Sequence, residues 1–525
     1  MDFSMYIKNI FGIFALLGLL AGCGGGIQGR WSVEQNNATT APAAMYGTFT
    51  DSSSHRMAVL LPTTGDAATS GRAIRTSVEM AVLESGADNL NVSFFDSARG
   101  VDAINEALNS DPEIIVGPLF ANDARTLREL KPSGLPVLSF TSDATAIGDG
   151  VMTMALMPTN GVESIVREMQ SDTVHKFIVL APDTESGHLL AGAARSAGDV
   201  YNVPLVGAFF YTEKDTDSIK AATQLAAMNV ARTAAHTRAR EILSDVLTNE
   251  SLTSIERSSI IRQMDKLSKH DVIGDLPYDG ILFLGTGDDT KSLASFLRYF
   301  GVGARDAKLY GTAMWDGADI ASDITLSGAK YATMVDTNDG FVTKYERVAG
   351  AKPNRLASFG YDATSMALGM MYSDKSNAAY LLDPSGYVGN DGAIRLRPDG
   401  ASERALRIMQ LNGDGEVKVV KEAAPDFMTP LYNIEQRHIS PINEMSLQTP
   451  GVNPMNYITL PERIRGKYRA KTYGANMTVQ SNAQLVDVVT MLPEDDRDPI
   501  VAEDYKPVKL APVKQTYIDS IEVEE

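Results

Sequence analysis

Cysteine is nearly absent from this chain of 525 residues: Cys23 is the one example, and an internal disulfide bond is therefore excluded. Positive charge is also scarce. The chain has 47 Lys and Arg against 66 Asp and Glu, which gives a formal net charge of -19 and a pI near 4.8. Nucleic-acid binding depends on concentrated Lys and Arg. We therefore expect no nucleic-acid partner.

Familiar catalytic signatures are missing too. The sequence has no Gly-x-Ser-x-Gly nucleophile elbow, no His-Glu-x-x-His zinc motif and no Walker loop. Its six histidines are scattered, without the paired spacing that a metal site needs. These absences predict a protein that is not an enzyme and that uses no metal or cofactor.

The N-terminus lacks an apolar run long enough to span a membrane. The run Ile10–Ala21 follows the basic Lys8 and is shorter than the about 20 residues that a spanning helix needs. A short apolar core behind a basic flank is typical of an export signal. Its last residues, Leu20 to Cys23 (LAGC), resemble the lipobox of bacterial lipoproteins.

The lipobox resemblance implies that residues 1–22 are a signal peptide and that Cys23 carries a diacylglyceryl group. The alternative is a chance thiol in an ordinary signal peptide. Residues 23–55 are rich in Gly, Ser, Thr and Asn, which predicts a flexible tether. Gly24 stands where inner-membrane lipoproteins carry Asp. We therefore expect a protein of the cell envelope, lipid-anchored, facing the periplasm and sorted to the outer membrane.

From Met57 onward, short apolar runs alternate with amphipathic stretches, a pattern typical of βαβ units around a parallel sheet. A first series begins with MAVLLP (57–62) and a second with KFIVLA (176–181). Residues 215–275 interrupt the second series without any strand pattern, and the turn at 413–415 predicts a hairpin. The pattern predicts an α/β fold of two doubly wound parallel-sheet lobes, with a helical insertion at 215–275 in the second.

The C-terminal residues 423–525 have scattered Pro and few periodic apolar positions, which predicts a low-structure tail, extended or disordered. Within it, RIRGKYRAK (463–471) is basic with an interleaved Tyr. This segment either contacts anionic lipid or cell-wall polymer, or is a solvated run.

Several segments resemble the type I periplasmic binding protein superfamily, whose best-known members bind leucine, isoleucine and valine. They are MAVLLPTTG, EIIVGPLFANDA, LPVLSFTSDAT, GYDATSMAL and GAIRLRPDGASERALRIMQLNGDG. The resemblance covers about residues 56–422. It divides them into lobe 1 (56–157 and 336–380) and lobe 2 (158–335 and 381–422).

Two further segments, residues 279–302 and 309–317 (LYGTAMWDG), resemble the penicillin-binding protein activator family of outer-membrane lipoproteins. Members of that type stimulate a peptidoglycan synthase of the inner membrane, which the resemblance implies as the partner. Enterobacterial activators also carry an N-terminal helical-repeat domain, and only the short tether stands in its place here.

Ligands of doubly wound sheets bind beyond the carboxyl ends of the strands. The residues that we expect to line such a cleft are Thr63, Phe120, Ser139, Thr141, Ser142, Ser186 and Asp288. For the three hydroxyl residues from 139 to 142, a capped loop with satisfied local hydrogen bonds is the alternative. The residues Leu119 to Ala121 supply no hydroxyl for the carboxylate of an amino acid, so a small-molecule ligand stays uncertain.

A partner surface is expected at Trp315, Arg238 and Arg240, because aromatic residues and Arg are enriched where interfaces are strong. A packed aromatic and a solvated helix face are the respective alternatives. Two functions follow from these patterns. The first is a non-catalytic, lipid-anchored regulator of a peptidoglycan synthase, and the second is a lipoprotein solute receptor of an ABC transporter.

Overall fold

The computed structural model describes residues 54–87, 89–425, 427 and 439–474. Strands and helices are numbered in chain order within this part of the chain. The predicted signal peptide, Cys23 and nearly all of the predicted tether lie outside it.

Lobe 1 is built on a parallel sheet with the strand order β2-β1-β3-β4-β5. Its strands are β1 (His55–Leu61), β2 (Leu90–Asp96), β3 (Ile114–Val116), β4 (Val137–Ser139) and β5 (Val151–Thr153). Its first helices are α1 (Ala68–Ser85), α2 (Val101–Asn109) and α3 (Ala121–Leu130). In α1 the buried face includes Ile74 and Val78, which are spaced for one side of a helix.

Lobe 2 repeats the same plan, with a parallel sheet in the order β7-β6-β8-β9-β10. Its strands are β6 (Phe177–Pro182), β7 (Leu205–Tyr211), β8 (Gly280–Phe283), β9 (Lys308–Gly311) and β10 (Lys330–Thr333). Its helices are α4 (Pro158–Ser171), α5 (Glu185–Tyr201), α6 (Thr216–Ala226) and α9 (Gly287–Tyr299). The prediction of two doubly wound lobes is confirmed.

Three helices lie between β7 and β8, where the helical insertion was predicted. The first, α6, packs on the sheet and on α9 and is the crossover helix that a parallel connection needs. The other two, α7 (Asn229–Leu247) and α8 (Ser254–Leu267), pack against each other on the flank of lobe 2. The helices additional to the two-lobe plan are therefore α7 and α8.

The chain returns to lobe 1 after β10 and then crosses back to lobe 2. Helices α10 (Asp339–Ala349), α11 (Arg355–Met371) and α12 (Asn377–Leu381) follow β10, and α11 packs along α1. Every residue of α11 from Ala357 to Met371 is buried, and its buried polar side chains are hydrogen-bonded, as Asp362 is to Asn390. One apolar core includes Val59 of lobe 1 and Val179 of lobe 2 and so runs through both lobes.

Two antiparallel elements complete the described part of residues 381–422. Strands β11 (Tyr387–Gly389), β12 (Gly392–Leu396) and β13 (Ser402–Arg404) form a small sheet of their own. The hairpin of β14 (Arg407–Leu411) and β15 (Val417–Lys421) joins the edge of the lobe 2 sheet beside β10. Its turn contains Gly413 and Gly415, as the sequence predicted.

The described tail residues 439–474 form an extended strap along lobe 2, with one short helix, α13 (Glu462–Arg465). The extended form of the predicted tail is confirmed for these residues. Their apolar side chains are nevertheless packed, because Ile442, Leu447 and Ile464 are buried. Apolar residues need no helical or strand spacing to be buried when they pack on a surface that another part of the chain provides.

The strap is hydrogen-bonded to lobe 2 from its first residues. The Ile442 amide donates to the His188 carbonyl at 3.0 Å, and the His188 ring donates from Nδ1 to the Ile442 carbonyl at 2.7 Å. A Cβ on Gly192 would lie 2.1 Å from the Ser440 carbonyl oxygen, so α5 needs glycine where the strap crosses it. Beyond α5 the Ala208 amide donates to the Met445 carbonyl at 3.1 Å. The strap thereby covers the exposed edge of β7.

Among the described residues, no helix is both long enough and apolar enough to cross a membrane.

Candidate functional site: the cleft edges and a side module on lobe 2

The loop after β1 lies at the carboxyl edge of lobe 1 and contains Thr63. The Thr63 amide donates to Asp96 Oδ1 at 2.8 Å, and the Thr64 hydroxyl donates to Asp96 Oδ2 at 2.6 Å. Desolvation acts to raise the pKa of Asp96, but the hydrogen bonds from Thr64, Thr63 and Ala98 lower it to about 2. Asp96, which ends β2, therefore closes this loop from within lobe 1.

The neighbouring edge, between β3 and β4, is closed in the same way. The buried Ser139 hydroxyl donates to the Pro118 carbonyl at 3.0 Å and accepts the Thr141 amide at 3.3 Å. The Thr141 hydroxyl accepts the Asp143 amide at 3.1 Å. Both hydroxyls are buried, so the capped loop describes Ser139 and Thr141 better than an open ligand site.

Four of the predicted cleft residues are exposed at the edges of the two lobes. In lobe 1, Phe120 is 48% exposed at the start of α3, and Ser142 is exposed beyond β4. In lobe 2, Ser186 and Asp288 are exposed in the first turns of α5 and α9. These side chains are accessible to solvent and are the part of the predicted cleft that a ligand can reach.

Side chains of lobe 2 fill the space between β7 and the start of α9. The buried Asp289 accepts the Lys214 amide at 3.2 Å. A Cβ on Gly285 would lie 1.9 Å from the Tyr211 hydroxyl, so this loop needs glycine for the phenol to fit. Burial raises the pKa of Tyr211, and the negative charge of Asp289 adds to the effect. Asp289 is therefore a structural carboxylate.

The prediction that Trp315 belongs to an exposed partner surface is wrong. Its side chain is 1% exposed, and its ring nitrogen donates to the Thr290 hydroxyl at 3.1 Å. The rings of Phe283 and Tyr331 lie 6.2 and 5.7 Å from it, centroid to centroid. A large apolar ring with one satisfied N–H is more stable in the core of lobe 2 than in water.

The other two predicted partner residues lie on α7. Arg238 is half-buried and pairs with Glu241 at 3.0 Å, one turn along the helix. Arg240 is exposed. Surface pairs of this type contribute little to stability, so the fold does not depend on the Arg238–Glu241 pair.

A buried charged cluster near the lobe crossings was not predicted. Arg404 is 1% exposed, donates from Nη2 to the Met154 carbonyl and lies over the ring of Phe359 at 4.5 Å. Burial lowers the pKa of its guanidinium, while Asp391 and Asp362 favour the charged form. The alternating charges of residues 395–404 were the one sequence feature that could have predicted this cluster, but such charges usually indicate a solvated strand.

The two acids of this cluster tie α11 to the loop between β11 and β12. Asp362 accepts the Asn390 amide at 2.8 Å and its side-chain nitrogen at 2.6 Å. Asp391 accepts the Thr337 hydroxyl at 2.6 Å. The crossings of the chain between the lobes are thus linked by buried polar contacts, which suits a hinge that keeps a defined geometry.

Helices α7 and α8 and strap residues 454–474 together form a compact unit, which we call the side module. Its apolar core is made of Ala239, Ile242, Leu243, Val246, Ile260, Leu267, Ile458, Leu460 and Ile464. The side chain of Gln263 pairs with Thr459 through bonds of 2.7 and 3.0 Å. Arg463 binds both carboxylate oxygens of Glu256, with 2.8 Å between Nη2 and Oε2. No sequence pattern indicated that the tail completes the insertion.

A Ser-x-x-Lys spacing occurs at Ser327 and Lys330 but does not form a nucleophile and base. The Lys330 ammonium lies 2.8 Å from Glu168 and 2.7 Å from Asp172, which keeps it charged. The Ser327 hydroxyl donates to the Asn412 carbonyl at 2.9 Å. Nor do the described residues contain a group of three His, Cys, Asp or Glu side chains placed to hold a metal ion.

The family model described as "Periplasmic binding protein" matches residues 54–416. The chain belongs to the periplasmic binding protein family. This is a family of binding proteins, and membership gives the chain a periplasmic or envelope location.

Solved structures that are similar to this chain have low sequence identity to it. A protein of Rhodospirillum rubrum assigned to a branched-chain amino acid ABC transporter has a TM-score of 0.51 and 16% identity, over 70% of this chain and 100% of that chain. The C-domain of LpoA from Haemophilus influenzae, a regulator of PBP1A, has a TM-score of 0.47 and 16% identity, over 70% and 99%.

A branched-chain amino acid transporter ligand-binding protein of Burkholderia xenovorans has a TM-score of 0.44 and 16% identity, over 71% and 96%. Comparison with curated proteins gives no match. At 16% identity, the likeness to the Rhodospirillum rubrum structure concerns the fold alone. The strap lies beyond the residues that the family model matches.

Proposed function

We propose that this chain is a non-catalytic regulator of the cell envelope that activates a peptidoglycan synthase of the inner membrane by protein contact. A lipid on Cys23 anchors it, facing the periplasm, in the outer membrane. The proposal starts from the lipobox at residues 20–23 and from the resemblance of residues 279–302 and 309–317 to the activator family.

The observation that supports this function most is the contrast between the cleft edges and the side module. At the edges, the Thr63 amide, the Ser139 hydroxyl and the Asp289 carboxylate are hydrogen-bonded within their own lobe. A solute receptor needs such groups free to replace the water around a polar ligand. The side module, by comparison, adds a folded surface to lobe 2 that ligand closure does not require.

The test measures glycan polymerisation by a purified peptidoglycan synthase of the same bacterium, with and without the acylated full chain. We expect stimulation by the wild-type chain. The double variant Arg238→Glu with Arg240→Glu should lower the stimulation about tenfold, which corresponds to a loss of about 1.4 kcal/mol of binding. The matched control, Arg298→Glu with Arg305→Glu, changes two exposed charges elsewhere on lobe 2 and should stimulate normally.

A synthase that is indifferent to the wild-type chain contradicts the proposal. The lipid anchor is tested separately, by the mass of the mature protein and of a Cys23→Ser variant. An unmodified thiol at position 23 contradicts the lipid anchor. It does not affect the proposed contact with the synthase, which the polymerisation assay tests separately.

The second candidate is a solute receptor for an amino acid or another small polar metabolite. The exposed Ser142, Ser186 and Asp288 support it, because they place hydroxyl and carboxylate groups at the edges of both lobes. Titration calorimetry with leucine, isoleucine and valine distinguishes the candidates. Binding in the micromolar range or tighter, without any effect on a synthase, would favour the receptor.

A further inference from the structure

The side module is a basic part of an acidic chain. Helices α7 and α8 and residues 454–474 together contain eleven basic and five acidic residues, a net charge of +6. The whole chain has a net charge of -19, so the residues outside the module carry -25. An anionic surface attracts the module and repels the remainder of the chain. The charge distribution therefore favours an approach to such a surface through the module.

One short stretch of the strap is fixed to the helices of the module at three points. Arg463 is paired with Glu256, and the neighbouring Ile464 is buried in the apolar core of the module. The Tyr468 hydroxyl donates to Asp245 at 2.7 Å. The residues between and beside these points are therefore part of a folded surface.

Three cations of this stretch have no counter-charge within the described part of the chain. The side chains of Arg465, Lys467 and Arg469 are exposed, and no described carboxylate pairs with any of them. A Cβ on Gly466 would meet no described atom within 4 Å, so the backbone between the first two cations borders open space. These cations can pair with an external anion without first breaking an ion pair of their own. We call the three of them the basic rim.

An exposed aliphatic side chain lies close to the point where the strap is attached. Ile255 directly precedes Glu256, the partner of Arg463, and is 81% exposed at the start of α8. Ile261 of the same helix is exposed as well. A lipid layer accepts aliphatic side chains among its headgroups, so that apolar burial adds to the attraction between charges. A hydrated polymer offers no such burial, and the exposed isoleucines therefore favour a lipid surface.

We propose that the basic rim of the side module docks on a membrane surface that contains anionic phospholipid. Each Lys or Arg held near such a surface strengthens binding about fivefold, and three together strengthen it about a hundredfold. The attraction is screened over about 10 Å at 0.1 M ionic strength, so the contact is reversible and sensitive to salt. The inference does not depend on the proposed function, because it needs neither a synthase nor a ligand in the cleft.

The test measures how fast a soluble reagent acylates the Lys467 amine when the mature full chain is mixed with vesicles. Phosphatidylcholine vesicles are compared with vesicles in which phosphatidylglycerol replaces about a third of the lipid. A lipid on Cys23 would attach the chain equally to both, so the comparison reports on the module. We expect labelling to be about fivefold slower on the anionic vesicles and to recover in 0.5 M salt, where the screening length is below about 5 Å. Lys220, exposed on α6, should react equally fast on both.

A matched pair of variants separates the charge of the rim from the charge of the whole chain. Arg465→Gln with Arg469→Gln keeps Lys467 as the reporter and should bring its labelling rate on anionic vesicles to within about twofold of the rate on neutral ones. Arg298→Gln with Arg347→Gln removes two exposed charges elsewhere and should leave the protection of Lys467 unchanged.

A further variant and a soluble probe test the assignment to lipid. Ile255→Ser should weaken the protection of Lys467 on anionic vesicles about threefold, because it removes an apolar group from the contact. Unchanged protection in this variant would overturn the assignment. So would soluble polyglutamate that protects Lys467 as strongly as the vesicles, since the rim would then recognise charge alone.

Two outcomes with the vesicles overturn the proposal directly. They are equal labelling of Lys467 on both kinds of vesicle, and protection that persists in the Arg465 and Arg469 variant. Protection by isolated peptidoglycan, without any protection by anionic vesicles, would assign the rim to a cell-wall polymer and equally overturn the proposal.

Discussion

Lobe 1 and lobe 2 have the same strand order, β2-β1-β3-β4-β5 against β7-β6-β8-β9-β10. Among the described residues, lobe 2 also has the β14–β15 hairpin, the inserted helices α7 and α8, and the strap. Lobe 1 instead receives the buried helix α11, which serves the joint between the lobes. The comparison shows that lobe 1 keeps close to the shared plan, whereas lobe 2 carries additional folded surface.

The largest expected effect tests whether lobe 2 has a core of its own around Trp315. Trp315→Ala should lower the free energy of unfolding by about 3–5 kcal/mol, because it leaves a cavity where a buried ring was packed. Chemical denaturation followed by circular dichroism measures the change. The control in lobe 1 is Phe120→Ala, which removes a half-exposed ring and should change stability by less than about 0.5 kcal/mol. Equal losses in the two variants would contradict the burial of Trp315.

The next effect tests whether the strap stabilises the insertion. Ile464→Ala should cost the side module about 2–4 kcal/mol, since the side chain is buried between α7, α8 and the strap. Hydrogen exchange should rise in residues 229–267 and 454–474 and stay unchanged in lobe 1. Ile255→Ala is the matched control, because Ile255 is 81% exposed on α8. Faster exchange throughout both lobes would mean that the side module is not a separate unit.

A smaller effect concerns the Asp96 loop of lobe 1. The pKa of Asp96 is lowered to about 2, so the stability that its ionised form gives is complete above the ordinary value near 4 and is lost as the pH falls through about 2. Because the group is partly exposed, we expect a contribution of about 1 kcal/mol. Asp96→Asn should remove this part of the pH dependence of lobe 1 between pH 5 and pH 2, as measured by urea denaturation. An unchanged pH profile in the variant would contradict the assignment.

The smallest effect is the equivalent pH dependence in the side module. The hydrogen bond from Arg463 and the Thr253 amide lower the pKa of Glu256 to about 2. The contribution of Glu256 is therefore present above its ordinary pKa near 4.5 and disappears as the pH falls through about 2. Arg463→Gln should move the loss of exchange protection in α8 to higher pH, while Arg465→Gln, which removes an unpaired cation, should not. Identical profiles for the two variants would show that the ion pair does not hold the strap.

Sequence patterns predicted the two sheets well because their strands are buried. Runs such as residues 57–62 and 177–182 are apolar on both faces, as expected of central parallel strands that are covered on both sides. The hairpin turn was equally visible, since Gly413 and Gly415 both have positive φ angles. In each of these cases, residues close together in sequence were sufficient to predict the element.

The candidate site was predicted less well, since burial depends on contacts that are distant in sequence. Ser139 and Ser142 look alike as hydroxyl residues beside one strand, yet the first is buried under the Pro118 carbonyl and the second is exposed. Trp315 was predicted on a partner surface, but residues of other elements enclose it. The adjacent acids Asp288 and Asp289 also differ, since the first is exposed and the second is buried. The pairing of Arg463 with Glu256 spans 207 residues and has no local signal.

The sequence by itself determined the alternation of strands and helices, the doubly wound topology and the positions of the insertion and the tail, because periodicity and turn chemistry act over a few residues. Only the tertiary structure decided which polar groups are enclosed, how the buried charges of Arg404, Asp362 and Asp391 join the lobes, and that the strap completes the side module. Those outcomes depend on the sum of many weak contacts between distant segments, and such a sum is fixed only when the chain is folded.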